Sequence, residues 1–247
     1  MKNQYAADLG DYGKYGLFRF LARKGIRIGV NWYLTADDGT KDGKFTDYLE
    51  NTRENGDMQY DAELFCALQA IAAKKEKKCV QDIEAGGLIP GAVFYSEVLT
   101  SDPKERDAWH ERALNRLLGD DIDLIFADPD NGTWREDRKL PRKTGEKYAL
   151  LKELRRYYDE GKDVVYYCHK ARRKSEDWQA KIREFNADGH NAKIIVLTYH
   201  RGTQRSYIFA IHPDKYDDYD AALKEFIDSA WGSVPVKGKK PPFSREL

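Results

Sequence analysis

Apolar and polar positions along this chain alternate between a period near 3.6 and runs that are apolar or β-branched throughout, the signatures of helix and of buried strand. "YGKYGLFRFLARKG" spaces its apolar residues as a helix and stops at Gly25, and the following "IRIGVNWYLT" is strand-like. A polar, glycine-bearing stretch, "TADDGTKDGKF", runs through "NTRENGD" into the amphipathic "DAELFCALQAIAAKKEKK", which predicts a loop and a helical insertion at about 45–88. "AVFYSEVL" predicts a strand, "DPKERDAWHERALNRLLG" a helix opened by Asp-Pro and closed at Gly119, and "DIDLIFAD" the next strand. "TGEKYALLKELRRYYDEGK" is then a helix, "DVVYYCH" a strand and "SEDWQAKIREFNADG" a serine-capped helix. Strands alternating with helices predict an α/β fold, a mainly parallel twisted sheet with helices on both faces.

The C-terminal part breaks the alternation. "AKIIVLTYHRG" and "SYIFAIHP" are separated by too few residues for a crossover helix, so they must pair as an antiparallel β-hairpin. "AALKEFIDSAW" predicts a last helix, and "VKGKKPPFSREL" a mobile basic tail. The expected organisation is one α/β domain over 1–235 with the tail at 236–247.

Composition narrows the function classes. A hydrophobic fraction of 41% supplies a normal core, and 42 basic side chains balance 42 acidic ones, so any attraction to nucleic acid must be local. Cys66, Cys79 and Cys168 lie far apart, which suits a reducing compartment and core thiols. No apolar run approaches the roughly 20 residues that cross a bilayer, so the expectation is a cytoplasmic protein with no membrane partner; the oligomeric state is not legible.

One stretch carries candidate chemistry. In "DIDLIFADPDNGTW" an apolar run, Leu124 to Ala127, ends abruptly at Asp128, Pro129, Asp130, Asn131 and Gly132. An ordinary tight turn explains that composition, because Pro fixes φ and Asn-Gly tolerates positive φ. A strand ending in a carboxylate is also where parallel α/β sheets place their chemistry. The acids Asp8, Asp11, Asp37, Asp38 and Asp42 are numerous enough that several must be solvated loop residues.

The hairpin-closed sheet resembles the class I AdoMet-dependent methyltransferases, a Rossmann-like fold. Asp128-Pro129-Asp130-Asn131 stands where those acting on exocyclic amines carry (Asp/Asn)-Pro-Pro-aromatic. Across the whole chain, more in layout than in identical residues, it is most similar to the ribosomal RNA adenine-N6 methyltransferases of the RlmJ type. The resemblance implies that Asp128 and the Pro129 carbonyl orient a base amine, with Asp130 and Asn131 beside them. It implies that Asp11 and Lys14, in "GDYGKYG", and Thr35, Asp38 and Gly39, in "NWYLTADDGTKDG", hold AdoMet. The second proline and the aromatic are replaced here, so a stacking platform requires Trp134 to fold back.

The excess of acids at predicted strand ends and the departures from the motif motivate, in turn, two other readings. If Asp11, Asp38, Asp128 and Asp130 converge, an oxygen-only Mg²⁺ site of a metal-dependent nuclease or phosphodiesterase is expected. A scaffold released from catalysis would instead bind nucleic acid or a protein without turnover. The loop "HKARRK" reads as a solvated positive loop or as an RNA- or DNA-phosphate patch, with His169, Lys170, Arg172, Arg173 and Lys174 as its contacts and Arg201 and Arg205 of the hairpin beside them.

Overall fold

The apolar runs become short strands buried on both faces. The computed structural model describes all residues except 40–42, 44, 51–55, 75–76, 120, 136, 171–172 and 237–239. In chain order the elements are α1 (Leu9–Arg23), β1 (Ile28–Asn31), α2 (Ala62–Ala72), α3 (Val80–Ala85), β2 (Val93–Tyr95), α4 (Pro103–Leu117), β3 (Leu124–Ala127), β4 (Thr133–Trp134), β5 (Ala149–Leu150) and α5 (Leu151–Asp159). They continue as β6 (Asp163–Cys168), α6 (Ser175–Arg183), β7 (Lys193–Tyr199), β8 (Arg205–Ile211), α7 (Tyr216–Asp228), α8 (Ala230–Ser233) and β9 (Phe243–Arg245).

Seven of these strands form one sheet in the order β2-β1-β3-β6-β8-β7-β9. The pairs from β2 to β6 are parallel, and those from β6 to β9 are antiparallel. The alternating side chains of β3 divide the core: Leu124 and Phe126 join the cluster containing α1, α2 and α7, while Ile125 and Ala127 join that of α4, α5 and α6. This is the α/β architecture expected, with helices on both faces and the predicted hairpin. Its second strand, β8, returns to pair with β6, so the hairpin is inserted into the sheet.

Several boundaries differ from the sequence expectation, each for a local reason. Strand β1 ends at Asn31 because Tyr33 takes a φ of 44°, a conformation costing a non-glycine residue about 1–3 kcal/mol. Its N–H donates to Asn31 Oδ1 at 3.0 Å, its hydroxyl donates to Glu153 at 3.2 Å, and its ring packs 5.1 Å from Trp109. Helix α5 begins at Leu151, not near Thr144, because residues 149–150 pair with β4 as a separate two-stranded sheet. Of the three cysteines only Cys168 is buried; Cys66 is exposed.

The tail expected to be mobile is largely built into the fold. Phe243, Ser244 and Arg245 pair with β7 as β9, and Phe243 is 1% exposed. The sequence pattern is polar there, but an edge strand is held by main-chain bonds that need only one apolar anchor. No helix among the described residues is long and apolar enough to cross a membrane.

Candidate active site

The first turns of α1 lie across the carboxyl ends of β1, β3 and β6. Asp8 caps α1 by accepting from the Asp11 N–H at 2.9 Å. Asp11 and Lys14, three residues apart, share one helix face, and Lys14 Nζ lies 2.7 Å from Asp11 Oδ1 and 2.7 Å from Asp128 Oδ2. Asp11 also accepts from the Tyr15 hydroxyl at 3.0 Å and the Ala7 N–H at 3.1 Å. Alone, burial would lower the Lys14 pKa; the two carboxylates outweigh it and raise it. Gly10 lets the hairpin come close: a Cβ there would overlap the Arg205 guanidinium.

Past β3 the chain turns at Pro129, and Asp128 and Asp130 face one space. The Met1 amino group donates to the Asp128 main-chain oxygen at 2.8 Å and lies 2.7 Å from Asp130 Oδ1, close enough to pair electrostatically though not aligned as a hydrogen bond. Lys2 Nζ pairs with Asp38 at 2.6 Å and lies 3.8 Å from Asp130. The corner thus presents two carboxylates and a carbonyl, all turned toward amino groups.

These elements enclose a cleft of about 260 Å³ whose wall includes Asp8, Asp11, Lys14, Asp128, Pro129, Asp130, His169 and Arg205, with the rings of Tyr5, Phe45 and Tyr167. Phe45 is 65% exposed. His169 Nδ1 lies 2.9 Å from the Gln204 carbonyl, which can only accept, so Nδ1 carries the proton and Nε2 the lone pair. Burial pushes this imidazole below its usual range, against a smaller upward pull from the Gln204 carbonyl. The carboxylate nearest Arg205 is Asp8, 3.5 Å away.

Burial pushes Asp11 up to about 6, against the pull of Lys14. The Asp11 carboxyl carbon is therefore expected to titrate near pH 6 by NMR, and a midpoint near its ordinary value of 3.8 would contradict that environment. Because the folded value lies above the unfolded one, this group's contribution to stability is greatest below pH 3.8 and is lost as pH rises through about 6. Denaturant titrations of Asp11→Asn are expected to lack this group's part of that slope.

The expected site residues divide into two groups. Asp11, Lys14, Asp128, Pro129, Asp130, His169 and Arg205 come together on the cleft. Asn131 belongs to the turn, where its N–H donates to Lys147 O at 2.9 Å and Gly132 takes a φ of 89°. The turn and the strand-end readings therefore both describe this corner. Thr35, Asp38 and Gly39 are not among the cleft residues. Thr35 bridges to Lys2, its N–H donating to Met1 O at 2.9 Å, and Gly39 faces open space.

Lys170 is tied to Glu246 at 3.1 Å, Arg173 donates to the carbonyls of His169 and Lys170, and Arg201 pairs with buried Asp57. Lys174 is exposed, and Arg172, with Asp42, lies outside the described residues. Trp134 packs on Tyr148 with ring centroids 5.0 Å apart and is not on the cleft, so it supplies no platform over the corner. Sequence reasoning passed over Asp8 as a cleft residue, although Asp-x-x-Asp ahead of an apolar helix is a capping signal. Tyr5, Phe45 and Tyr167 gave no signal.

The four acids of the metal reading do not form a cation site. Ammonium groups stand between them, Lys14 between Asp11 and Asp128 and Lys2 between Asp38 and Asp130. Among the described residues no three His, Cys, Asp or Glu side chains are grouped to hold a metal ion. Neither family models nor curated proteins match this chain.

Proposed function

We propose that this protein is a methyltransferase-type enzyme acting on an amino group of a nucleic-acid base, with the Asp128-Pro129-Asp130 corner as the amine acceptor. The observation that carries the reading is the corner itself: the Asp128 and Asp130 carboxylates converge at a strand end on one cleft, and Asp128 already accepts from an amino group, that of Lys14. The inserted C-terminal hairpin supports the class I methyltransferase resemblance, and so does the meeting of Asp11 and Lys14 with Asp128, more than a hundred residues away.

The donor set fits AdoMet in the cleft but not over the β1 turn. Trp32, Tyr33 and Leu34 fill that turn and are at most 2% exposed, and Met1 and Lys2 pair across Thr35. The cleft offers both signs of charge for an amino acid, Arg205 for a carboxylate and Asp8 for an ammonium, with Tyr5 and Phe45 as apolar surface. When bound, AdoMet supplies a methyl group activated on a sulfonium. The chain's own residues orient and deprotonate the acceptor. Lys14 takes Asp128 Oδ2, leaving Oδ1 to accept from the target amine. His169 Nε2 receives the proton that the methylated amine sheds.

Calorimetry with AdoMet and its demethylated product is expected to show binding of both, and transfer of labelled methyl to RNA or DNA is expected to fall about 100-fold in Asp128→Ala, since alignment supplies much of such catalysis. Absence of binding by either ligand would overturn the proposal. The filled β1 turn favours a second reading, a scaffold that binds nucleic acid without turnover. Methyl transfer by the purified protein separates the two.

A further inference from the structure

Beyond the corner the chain makes an excursion that the cleft does not use. Residues 133–150 leave and rejoin the same rim: Asn131 N–H donates to Lys147 O at 2.9 Å, Ala149 N–H donates to Gly132 O at 3.0 Å, and β4 pairs with β5. At the base of this arm Trp134 and Tyr148 pack edge to face, and Lys181 Nζ of α6 donates to Thr133 O at 2.9 Å. The arm's tip is "RKLPRK", with Arg138, Lys139, Arg142 and Lys143 all exposed.

None of these four cations has an ion-pair partner among the described residues, whereas Lys24, Arg27, Arg112 and Arg156 elsewhere on the surface each face a carboxylate. In a chain of zero formal net charge, four cations within six residues, unpaired among the described residues, are a concentrated local field. Pro141 at the centre of the tip limits its backbone freedom. The arm begins three residues after Asp130, and a Cβ at Gly132 would lie 3.1 Å from Cys168 Sγ, so the base of the arm and the loop carrying His169, Arg173 and Lys174 flank one corner.

We infer that residues 138–143 are the phosphate-contacting arm of this protein and that their occupant is the phosphodiester backbone of a nucleic-acid strand entering the cleft. The inference rests on the nucleic-acid part of the proposed function and not on its methyl chemistry. Ammonium and guanidinium groups on long flexible stems suit phosphate oxygens, and phosphate contacts carry no base information, so the arm positions a strand while the cleft selects what reacts.

The test is fluorescence anisotropy with a single-stranded RNA, a single-stranded DNA and a DNA duplex over a series of salt concentrations. The quadruple variant Arg138→Gln/Lys139→Gln/Arg142→Gln/Lys143→Gln is compared with the parent. Four lost contacts at about 0.7 to 0.9 each are expected to reduce the log–log salt slope by about 3, and to weaken binding roughly 100-fold near 0.1 M salt by a similar factor for all sequences. The ranking of the three probes identifies the strand type. A control, Lys24→Gln/Lys215→Gln at the opposite end of the sheet, is expected to bind as the parent does. If the parent binds and the quadruple variant binds equally well, the arm is excluded while the proposed substrate class stands. If the folded parent binds none of the probes at low salt, the substrate class fails and the inference fails with it.

Discussion

Replacing Lys14 by methionine is expected to cost about 3–5 kcal/mol of folding free energy, the loss seen when one partner of a buried ion pair is removed. Methionine keeps most of the lysine stem's volume, so the cost is not that of a cavity. It comes from what is left behind. Asp11 and Asp128, 2% and 5% exposed, would face each other across the cleft wall without the ammonium that stands 2.7 Å from each. Asp11, already raised to about 6 by burial, would be pushed higher, and at neutral pH one of the two carboxyls must take a proton or remain a buried unpaired charge. The sign of the pH dependence follows. A carboxyl whose folded pKa lies above its unfolded value loses stability as pH rises, so the deficit of Lys14→Met is expected to be smaller at pH 5 than at pH 8. Adding Asp128→Asn should return part of the loss at pH 8. Urea titrations at the two pH values read all of this, and a loss below about 1 kcal/mol at pH 8 would mean that Lys14 is an ordinary solvated cation.

Much of this arrangement was legible in the sequence, for physical reasons that vary from residue to residue. Leu124–Ala127 is apolar on both faces and stops at a carboxylate, which identifies a buried strand and the acid at its end together. The hairpin was legible because two apolar runs stood too close for a crossover. Asp11 and Lys14 were found by resemblance; the i,i+3 spacing made one face of them, but only tertiary structure brought Asp128 to it. Arg201 and Arg205 looked equivalent in sequence. Their roles diverge because Asp57, in a stretch with no pattern of its own, claims Arg201, while Gly10 admits Arg205 to the cleft. The packing of the expected cofactor turn was hidden for a similar reason: Trp32, Tyr33 and Leu34 read as strand, and the Met1 and Lys2 backbone that closes over Thr35 carries no sequence mark. The "RKLPRK" run has nothing in the sequence to set it apart, because a charged run between elements ordinarily marks a solvated face. Its interest arises only where its base meets the corner.

The C-terminal segment gives the sharpest contrast between pattern and packing. Phe243→Ala is expected to cost about 3–5 kcal/mol, the range for truncating a buried aromatic. Its ring lies 4.9 Å from that of Tyr199, 5.0 Å from Phe226 and 6.0 Å from Trp231, at the point where the sheet edge meets α7 and α8. The backbone around it is equally committed: His200 N–H donates to Pro242 O at 2.7 Å, Val196 N–H donates to Leu247 O at 3.1 Å, and the Glu246 N–H returns to Val196 O at 2.9 Å. Side chains add to this, since Glu246 accepts from Thr198 at 2.7 Å and Trp178 at 2.8 Å and Arg245 pairs with Asp220 at 2.6 Å. Lys240→Ala, an exposed change in the same segment, is expected to stay within about 0.5 kcal/mol of the parent. A mobile tail predicts the same near-zero value for both variants, so paired denaturant titrations decide between the two descriptions. The consequence extends past stability. Strand β9 covers the outer edge of β7, and an uncovered edge offers unpaired N–H and C=O groups to a second chain. Phe243→Ala is therefore expected to lose hydrogen-exchange protection along Leu197–Tyr199 and to aggregate with a concentration dependence that the parent lacks; retention of both properties would show that the edge is held without its anchor.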